Sequence, residues 1–180
     1  MNRIVYADNA ATTRLSDKAF KEMIPFLRDK YGNPSSVYSL GKDARAALRA
    51  AAADVAECLN ADESEIYFTS GGSESDNWAL IGAAELCGGR GHLIVSAVEH
   101  HAILRTAEYL KARGFDVTFV GCDALGRVAP EKIRAEIRDD TVLVSVMTAN
   151  NEVGTIQSVN EIGKIASENK ILFHTDAVQA

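Results

Sequence analysis

The stretch Val142-Leu143-Val144-Ser145-Val146 decides the fold, because four of its five residues are apolar and three are β-branched. A short run that is apolar at nearly every position is typical of a strand buried on both faces of a sheet. Leu93-Ile94-Val95 has the same character. The predicted strands cover residues 66–69, 93–97, 117–120, 142–147 and 171–175.

Stretches with helical spacing separate these runs, and the best lie at residues 74–86, 101–112, 130–137 and 158–168. Pro130 suits the first turn of its helix. Ser158 and Glu161 predict a capping box at the start of the last helix. Strands that alternate with helices predict an α/β fold, here a three-layer α-β-α arrangement with a mostly parallel sheet.

The region before residue 66 is predicted to be helical. Residues 16–30 predict a capped helix that Pro25 must bend or shorten. The turn formers of residues 32–36 separate it from an alanine-rich helix at residues 42–59. The predicted apolar stripe of this second helix comprises Ala44, Ala47, Leu48, Ala51, Val55 and Leu59.

Composition describes an ordinary globular protein of 180 residues with a net charge of −6 and 47% hydrophobic residues. The negative charge argues against nucleic acid as a partner. No apolar run approaches the ~20 residues that cross a bilayer, so no membrane partner is expected. Cys58, Cys87 and Cys122 are odd in number and widely separated, which fits a reducing compartment, and a cytoplasmic location is predicted. The cysteines are expected to be buried or incidental, and no metal site is predicted.

Two clusters of polar residues follow the strands predicted at residues 66–69 and 93–97. Ser70-Gly71-Gly72-Ser73 precedes a helix, where exposed N–H groups favour an anion such as phosphate. An ordinary strand-to-helix turn with a serine cap explains the same residues. Glu99-His100-His101 offers an imidazole that could stack on a flat cofactor or move a proton, although a solvated helix cap is an alternative.

Two more clusters follow the strands predicted at residues 142–147 and 171–175. Asn150 and Asn151 could orient a ligand through their side-chain amides, or simply form a turn. Asp176 needs a cationic partner or several donors if it is partly buried, and a protonated pyridinium nitrogen would serve. A helix cap or a pair with arginine would also satisfy it. Because parallel strands end at the same edge of a sheet, all four clusters are expected to converge.

These motifs resemble the cysteine desulfurase branch of the class V aminotransferase family, which has the fold of type I pyridoxal-phosphate enzymes. The resemblance extends along nearly the whole chain. It depends on the order and spacing of six motifs: Asp8-Asn9-Ala10-Ala11-Thr12-Thr13, Gly32-Asn33-Pro34-Ser35-Ser36, residues 70–77, Glu99-His100, residues 150–154 and residues 174–179.

The resemblance implies a role for each position. Gly72 and Ser73 would bind the phosphate of pyridoxal 5'-phosphate. His100 would stack on the pyridine ring and act as a catalytic residue in proton transfer. Asn151 would help to position the substrate and the hydroxyl side of the ring. Asp176 would pair with the pyridinium nitrogen, and Gln179 would bond the ring oxygen.

The resemblance also implies what this sequence lacks. The family's Schiff-base lysine follows the Asp-x-x-Gln segment, and its persulfide-forming cysteine and substrate-binding arginine lie further on. Residues 1–15 are therefore expected to contribute an N-terminal segment of the active-site region. Residues 16–180 would form the N-terminal part of a cofactor-binding large domain, truncated before the lysine. Tyr38 stands where many members of the family have histidine, which weakens the inference about substrate contacts there.

The implied activity is removal of sulfur from L-cysteine, giving L-alanine and an enzyme persulfide for iron–sulfur clusters or thio-cofactors. A homodimer and a sulfur-acceptor scaffold protein are the implied partners, and this chain alone is expected to be inactive. A selenocysteine lyase, another class V lyase or aminotransferase, or a truncated binding module without enzymatic activity are the alternatives.

Overall fold

The computed structural model describes residues 4–180, which form two compact units. The first unit extends to Phe68, and the second comprises Thr69–Ala180. No helix within the described residues is long and apolar enough to cross a membrane. Each unit is considered by itself below.

The first unit contains the helices α1 (Asp17–Arg28) and α2 (Ser39–Leu59), followed by a 3₁₀ turn at Glu63–Glu65. The Ser16 hydroxyl caps α1 by accepting a hydrogen bond from the Ala19 N–H at 3.1 Å. Pro25 lies inside α1, and the helix ends three residues later, two residues before the predicted end. Asn60 ends α2 in the left-handed conformation, with φ of 53°.

The predicted apolar stripe of α2 is wrong. The buried residues of this helix are Gly41, Ala52 and Ala56, whereas Leu48 and Leu59 are 47% and 67% exposed. Small residues let the backbone of a helix approach its neighbours closely, and a pattern of large apolar residues does not reveal that face. The larger side chains of α2 consequently lie toward solvent in this chain.

The second unit consists of one sheet and four helices. The strands are β1 (His92–Ser96), β2 (Asp116–Val120), β3 (Thr141–Ser145) and β4 (Leu172–His174). The helices are α3 (Gly72–Leu86), α4 (His101–Ala112), α5 (Pro130–Glu136) and α6 (Val159–Glu168). The strand order is β2-β1-β3-β4, and every pair is parallel.

Two apolar cores lie on opposite faces of this sheet. On one face Leu93 and Val95 of β1 pack in a cluster with residues of α3 and α4. On the other face Ile94 and Val144 pack with Ile133 of α5 and with residues of α6. Consecutive residues of β1 thus point to opposite layers, as strand geometry requires. The prediction of a three-layer α-β-α fold with a parallel sheet is confirmed.

Two local predictions are wrong, and a third holds only in one of its alternatives. Residues 66–69 form no strand, because none of the strands within residues 4–180 offers them a hydrogen-bonded ladder. The capping box at α6 is absent: the Ser158 side chain forms no cap, and its carbonyl accepts from the Glu161 N–H at 3.1 Å instead. Of the two alternatives for the cysteines, burial does not hold for Cys58 and Cys87, which are exposed, and Cys122 is half-buried.

Candidate active site

The loops that follow β1 and β3 are joined by hydrogen bonds at the carboxyl end of the sheet. Glu99 Oε1 accepts from the Ser96 hydroxyl at 2.7 Å and from the Met147 N–H at 2.6 Å. The Asn150 amide donates to the Val98 carbonyl at 2.9 Å. The segment that carries His100 is therefore fixed against the segment that carries Asn151.

The segment after β4 is joined to the same loops. The Thr148 N–H donates to the Asp176 carbonyl at 2.8 Å, and the hydroxyls of Thr148 and Thr175 are hydrogen-bonded at 2.8 Å. The Asp176 carboxylate accepts from the Val178 N–H at 3.0 Å. These bonds hold the Asp176 side chain in one orientation next to the loop from β3.

The start of α3 faces the same segment. A Cβ at Gly72 would lie 2.7 Å from Val178 Cγ2, so any larger residue there would have to move the exposed Val178 side chain. No side chain caps the N-terminus of α3. The first N–H groups of a helix have no partner within the helix, so those of Gly72 and Ser73 are available to an anion.

Asn77 fixes this helix start against α4. Its amide donates to the Ser73 carbonyl at 2.7 Å, and its side-chain oxygen accepts from the Thr106 hydroxyl at 2.6 Å. Thr106 is buried and also donates to the carbonyl of Ala102 at 2.8 Å. The site therefore rests on two helices packed on one face of the sheet.

Three ionisable side chains meet where these segments converge. Asp76, His100 and Asp176 each offer a polar atom, and the three atoms lie within 4.8 Å of one another. Asp76 and Asp176 are buried, whereas His100 is exposed. The structure therefore brings His100 and Asp176 together, two of the residues that the sequence predicts for the site.

His100 is also the N-cap of α4, because its Nδ1 accepts from the Ala102 N–H at 3.2 Å. The alternative of a helix cap therefore holds for this residue, and it is compatible with a role at the site. With Nδ1 occupied as an acceptor, the neutral ring carries its proton on Nε2.

A second histidine lies behind the cluster. His174 Nδ1 is hydrogen-bonded to the buried Ser145 hydroxyl at 3.0 Å, and His174 Nε2 lies 3.6 Å from Asp76 Oδ1. Burial lowers the pKa of His174, and the Asp176 carboxylate opposes that shift. A neutral His174 therefore fills the space between β3 and α3 without neutralising the carboxylates.

The carboxylates are held in a setting that disfavours their charge. Burial, followed by the charge of Asp176, raises the pKa of Asp76 to about 6. Burial also raises the pKa of Glu99 to about 7, against the opposing hydrogen bonds from Ser96 and Met147. The carboxyl end of the sheet is thus rich in buried acids that would gain from a bound cation.

Asn151 and Gln179 are exposed in the loops after β3 and β4. Their side chains form no hydrogen bond within residues 4–180. Asn150, by contrast, closes its turn by accepting from the N–H groups of Glu152 and Val153 at 2.9 and 3.0 Å. The turn alternative is thus correct for Asn150, and the roles of Asn151 and Gln179 stay predictions.

Sequence reasoning assigned no role to Asp76, His174 or the carboxylate of Glu99. A signal for Asp76 existed, because it precedes the buried Leu80 and Ala83 by four and seven residues on α3. A carboxylate at that spacing lies on the buried face of the helix. His174 gave no such signal, because its contacts with Ser145 and Asp76 come from residues far away in the chain, and Glu99 depends in the same way on the distant Met147 N–H.

These residues fit pyridoxal phosphate. Within residues 4–180, no lysine or arginine forms a salt bridge with Asp176, although its carboxylate is buried. A buried carboxylate needs a cation, and a protonated ring nitrogen is one. The uncapped start of α3 suits a phosphate, and an imidazole lies at the same site.

The three-layer α/β fold and a site that fits pyridoxal phosphate are typical of pyridoxal-phosphate enzymes, and comparison with known families agrees with this class. The aminotransferase class-V family matches residues 5–180, so the chain belongs to this family.

Within this family, the chain is similar to proteins named as cysteine desulfurases. The chain is 51% identical over 180 residues to "Cysteine desulfurase IscS" of Methanosarcina thermophila, and 50% identical over 181 residues to that of Clostridium botulinum strain Kyoto. These alignments cover 99% and 100% of this chain but 45% and 46% of the relatives, so the chain spans about half their length.

Two solved structures share the fold. A structure named "NIFS-LIKE PROTEIN" aligns with a TM-score of 0.92 at 44% identity, covering 96% of this chain and 48% of that one. A structure named "SspA in complex with cysteine" aligns with a TM-score of 0.91 at 39% identity, covering 96% of this chain and 50% of that one.

Proposed function

We propose that the protein carrying this chain is a pyridoxal-phosphate-dependent cysteine desulfurase. It removes sulfur from L-cysteine and gives L-alanine and an enzyme persulfide. The observation that supports this proposal best is the buried Asp176 carboxylate, which has no lysine or arginine partner within residues 4–180. The names of the relatives and the neighbour described as a complex with cysteine support the substrate.

Within this proposal residues 16–180 belong to the cofactor-binding large domain, and residues 1–15 contribute to the active-site region. Gly72 and Ser73 donate backbone N–H groups to the phosphate, where the dipole of α3 favours negative charge. Asp176 holds the proton on the ring nitrogen. When bound, pyridoxal phosphate supplies the electron sink for bond breaking in the amino-acid substrate.

His100 would stack on the ring of the bound cofactor and would serve as the catalytic residue for proton transfer. Its Nδ1 is engaged by the Ala102 N–H, so Nε2 is the atom that holds or moves the proton. Asn151 and Gln179 contact the ring's oxygen substituent from their exposed positions after β3 and β4. The rigid connection of these loops through Glu99 and Thr148 keeps the groups in place.

The proposal extends to a homodimer in the cytoplasm that passes its sulfur to an acceptor scaffold protein. The relatives' names favour a desulfurase over a selenocysteine lyase, another class V enzyme or a binding module without activity.

The test uses protein expressed from the complete reading frame, purified with pyridoxal phosphate and supplied with L-cysteine and a thiol reductant. We expect L-alanine and sulfide to appear in equal amounts over many turnovers. The same assay with L-selenocysteine in place of L-cysteine tests the alternative of a selenocysteine lyase, which would turn over only the selenium substrate. Absence of both products from L-cysteine would contradict the proposal.

A further inference from the structure

Asp76 is the residue of the site whose position the proposed function leaves unexplained. It lies on α3 one turn after Gly72, and it is only 4% exposed. Its carboxylate and that of Asp176 each have an oxygen within 4.8 Å of the other and of a His100 nitrogen. A second carboxylate is therefore buried beside the one that would bind the ring nitrogen.

The surroundings of Asp76 compensate its charge only in part, through the interaction with His100. The ionisable groups facing it are His174 on β4, His100 before α4, and the carboxylates of Asp176 and Glu99. Neither Asp76 nor Asp176 forms a salt bridge with lysine or arginine within the described part of the chain. Two buried carboxylates destabilise each other's charge, and a cation bound next to both relieves that repulsion.

Glu99 gives an independent sign that the site lacks a cationic or proton-donating group. It is 6% exposed, and its Oε2 is buried without any hydrogen-bond partner within residues 4–180. Buried polar atoms are nearly always paired, so an unpaired carboxylate oxygen next to Asp76 and Asp176 points to a missing partner.

We propose that Asp76 is a positioning residue, a second carboxylate behind Asp176 that strengthens the binding of a protonated aromatic ring nitrogen. This inference rests on the proposed function, because it deepens the account of how the same site selects its cofactor. A neutral ring of the same shape gains nothing from Asp76. The effect of Asp76 is thus specific to ligands with a basic ring nitrogen.

The test compares two ligands in the purified protein freed of cofactor. Pyridoxine 5'-phosphate has the ring nitrogen and cannot form a covalent bond with lysine, and its benzene-ring analogue has a C–H in that position. Competition with the natural cofactor, whose absorbance reports its displacement, shows whether each ligand occupies the cofactor site. Calorimetry gives an independent dissociation constant for both ligands.

We expect Asp76→Asn to weaken the binding of pyridoxine 5'-phosphate by about tenfold, since one nearby charge is lost, while the benzene analogue binds as before. Asp76→Glu keeps the charge and is expected to preserve the preference for the pyridine ring. Glu85→Gln removes one charge from the exposed end of the same helix and serves as the control, with no change for either ligand.

The results separate the alternatives. Equal losses for both ligands, with native circular dichroism, would mean that Asp76 only maintains the local structure, and would overturn the inference. Unchanged binding of both ligands would overturn it as well, while the proposed function would stand. A wild-type protein that binds neither ligand would remove the proposed function and this inference together.

Discussion

The two ends of the parallel sheet use buried polar groups in opposite ways. At the amino end, the buried His92 is hydrogen-bonded through both ring nitrogens, to Thr141 and Thr118, each at 2.9 Å. At the surface of the same end, the exposed side chain of Arg138 pairs with Asp116 and Asp140, each at 3.0 Å. The polar groups at this end satisfy one another.

The carboxyl end has acids without a matching cation. Asp76, Glu99 and Asp176 are all buried, and one oxygen of Glu99 has no partner in the described chain. A sheet end whose polar groups are all paired contributes to stability, whereas an end with unpaired buried carboxylates is prepared for a ligand. The difference makes the carboxyl end the candidate site without reference to any relative.

The largest expected effect on the free energy of unfolding concerns Glu99 and pH. A carboxyl whose pKa is raised to about 7 in the folded state binds its proton more tightly there than in the unfolded state. Stability is therefore highest below the unfolded pKa and is lost as the pH rises through 7. Between about pH 5 and pH 8 the loss from this one group is about 2.5 kcal/mol.

Urea denaturation of wild type and Glu99→Gln at both pH values measures this loss. The glutamine keeps an acceptor for Ser96 and Met147 but does not titrate, so its stability should fall by about 2.5 kcal/mol less over that range. Parallel pH profiles for the two proteins would show that Glu99 is ionised in the folded state as it is in the unfolded one.

His92 is expected to show the opposite dependence on pH. Burial, followed by the charge of Arg138, lowers the pKa of His92 in the folded state. Its stabilising contribution is complete above the unfolded pKa and is lost as the pH falls below that value. His92→Gln should lower the free energy of unfolding by about 2 kcal/mol at neutral pH, because hydrogen bonds are lost. The same variant should lose less stability than wild type when the pH is lowered.

Denaturation curves at neutral and mildly acidic pH check this prediction, with Arg90→Gln as an exposed control before the same strand. If the free energy of unfolding of His92→Gln falls in acid as much as that of wild type, other groups cause the destabilisation. The proposed contrast between the two ends of the sheet would then lack support at the amino end.

The smallest expected effect is at the start of α3. A methyl group at Gly72 would lie 2.7 Å from Val178 Cγ2, so Gly72→Ala must displace the Val178 side chain, two residues after Asp176. We expect binding of inorganic phosphate to weaken about fivefold, which is about 1 kcal/mol. The double variant Gly72→Ala, Val178→Ala removes the contact and should recover most of the affinity, as measured by calorimetry.

Much of this molecule follows from local sequence patterns. The apolar strands at residues 93–97 and 142–147 predicted the sheet, and the helix predicted at 101–112 has the observed bounds of α4. Gly72, His100 and Asp176 were found because each lies in a motif at the end of a strand or the start of a helix. Such signals depend on neighbours in the chain.

What could not be predicted depends on distant partners. Residues 66–69 have the composition of a strand but no ladder within residues 4–180, and ladder partners are not encoded in the segment itself. The role of Glu99 requires the Met147 N–H, 48 residues away. Asp76 was missed because its significance depends on Asp176 being folded against it.

The role of Asp176 is tested most sharply by the affinity of the cofactor-free protein for pyridoxine 5'-phosphate before and after Asp176→Asn. Wild type is expected to bind, and the variant, which keeps the shape but loses the charge, is expected to bind about a hundredfold more weakly, a difference of about 2.7 kcal/mol. Equal affinities would show that the buried Asp176 carboxylate, which has no lysine or arginine partner within residues 4–180, does not hold a cationic ring.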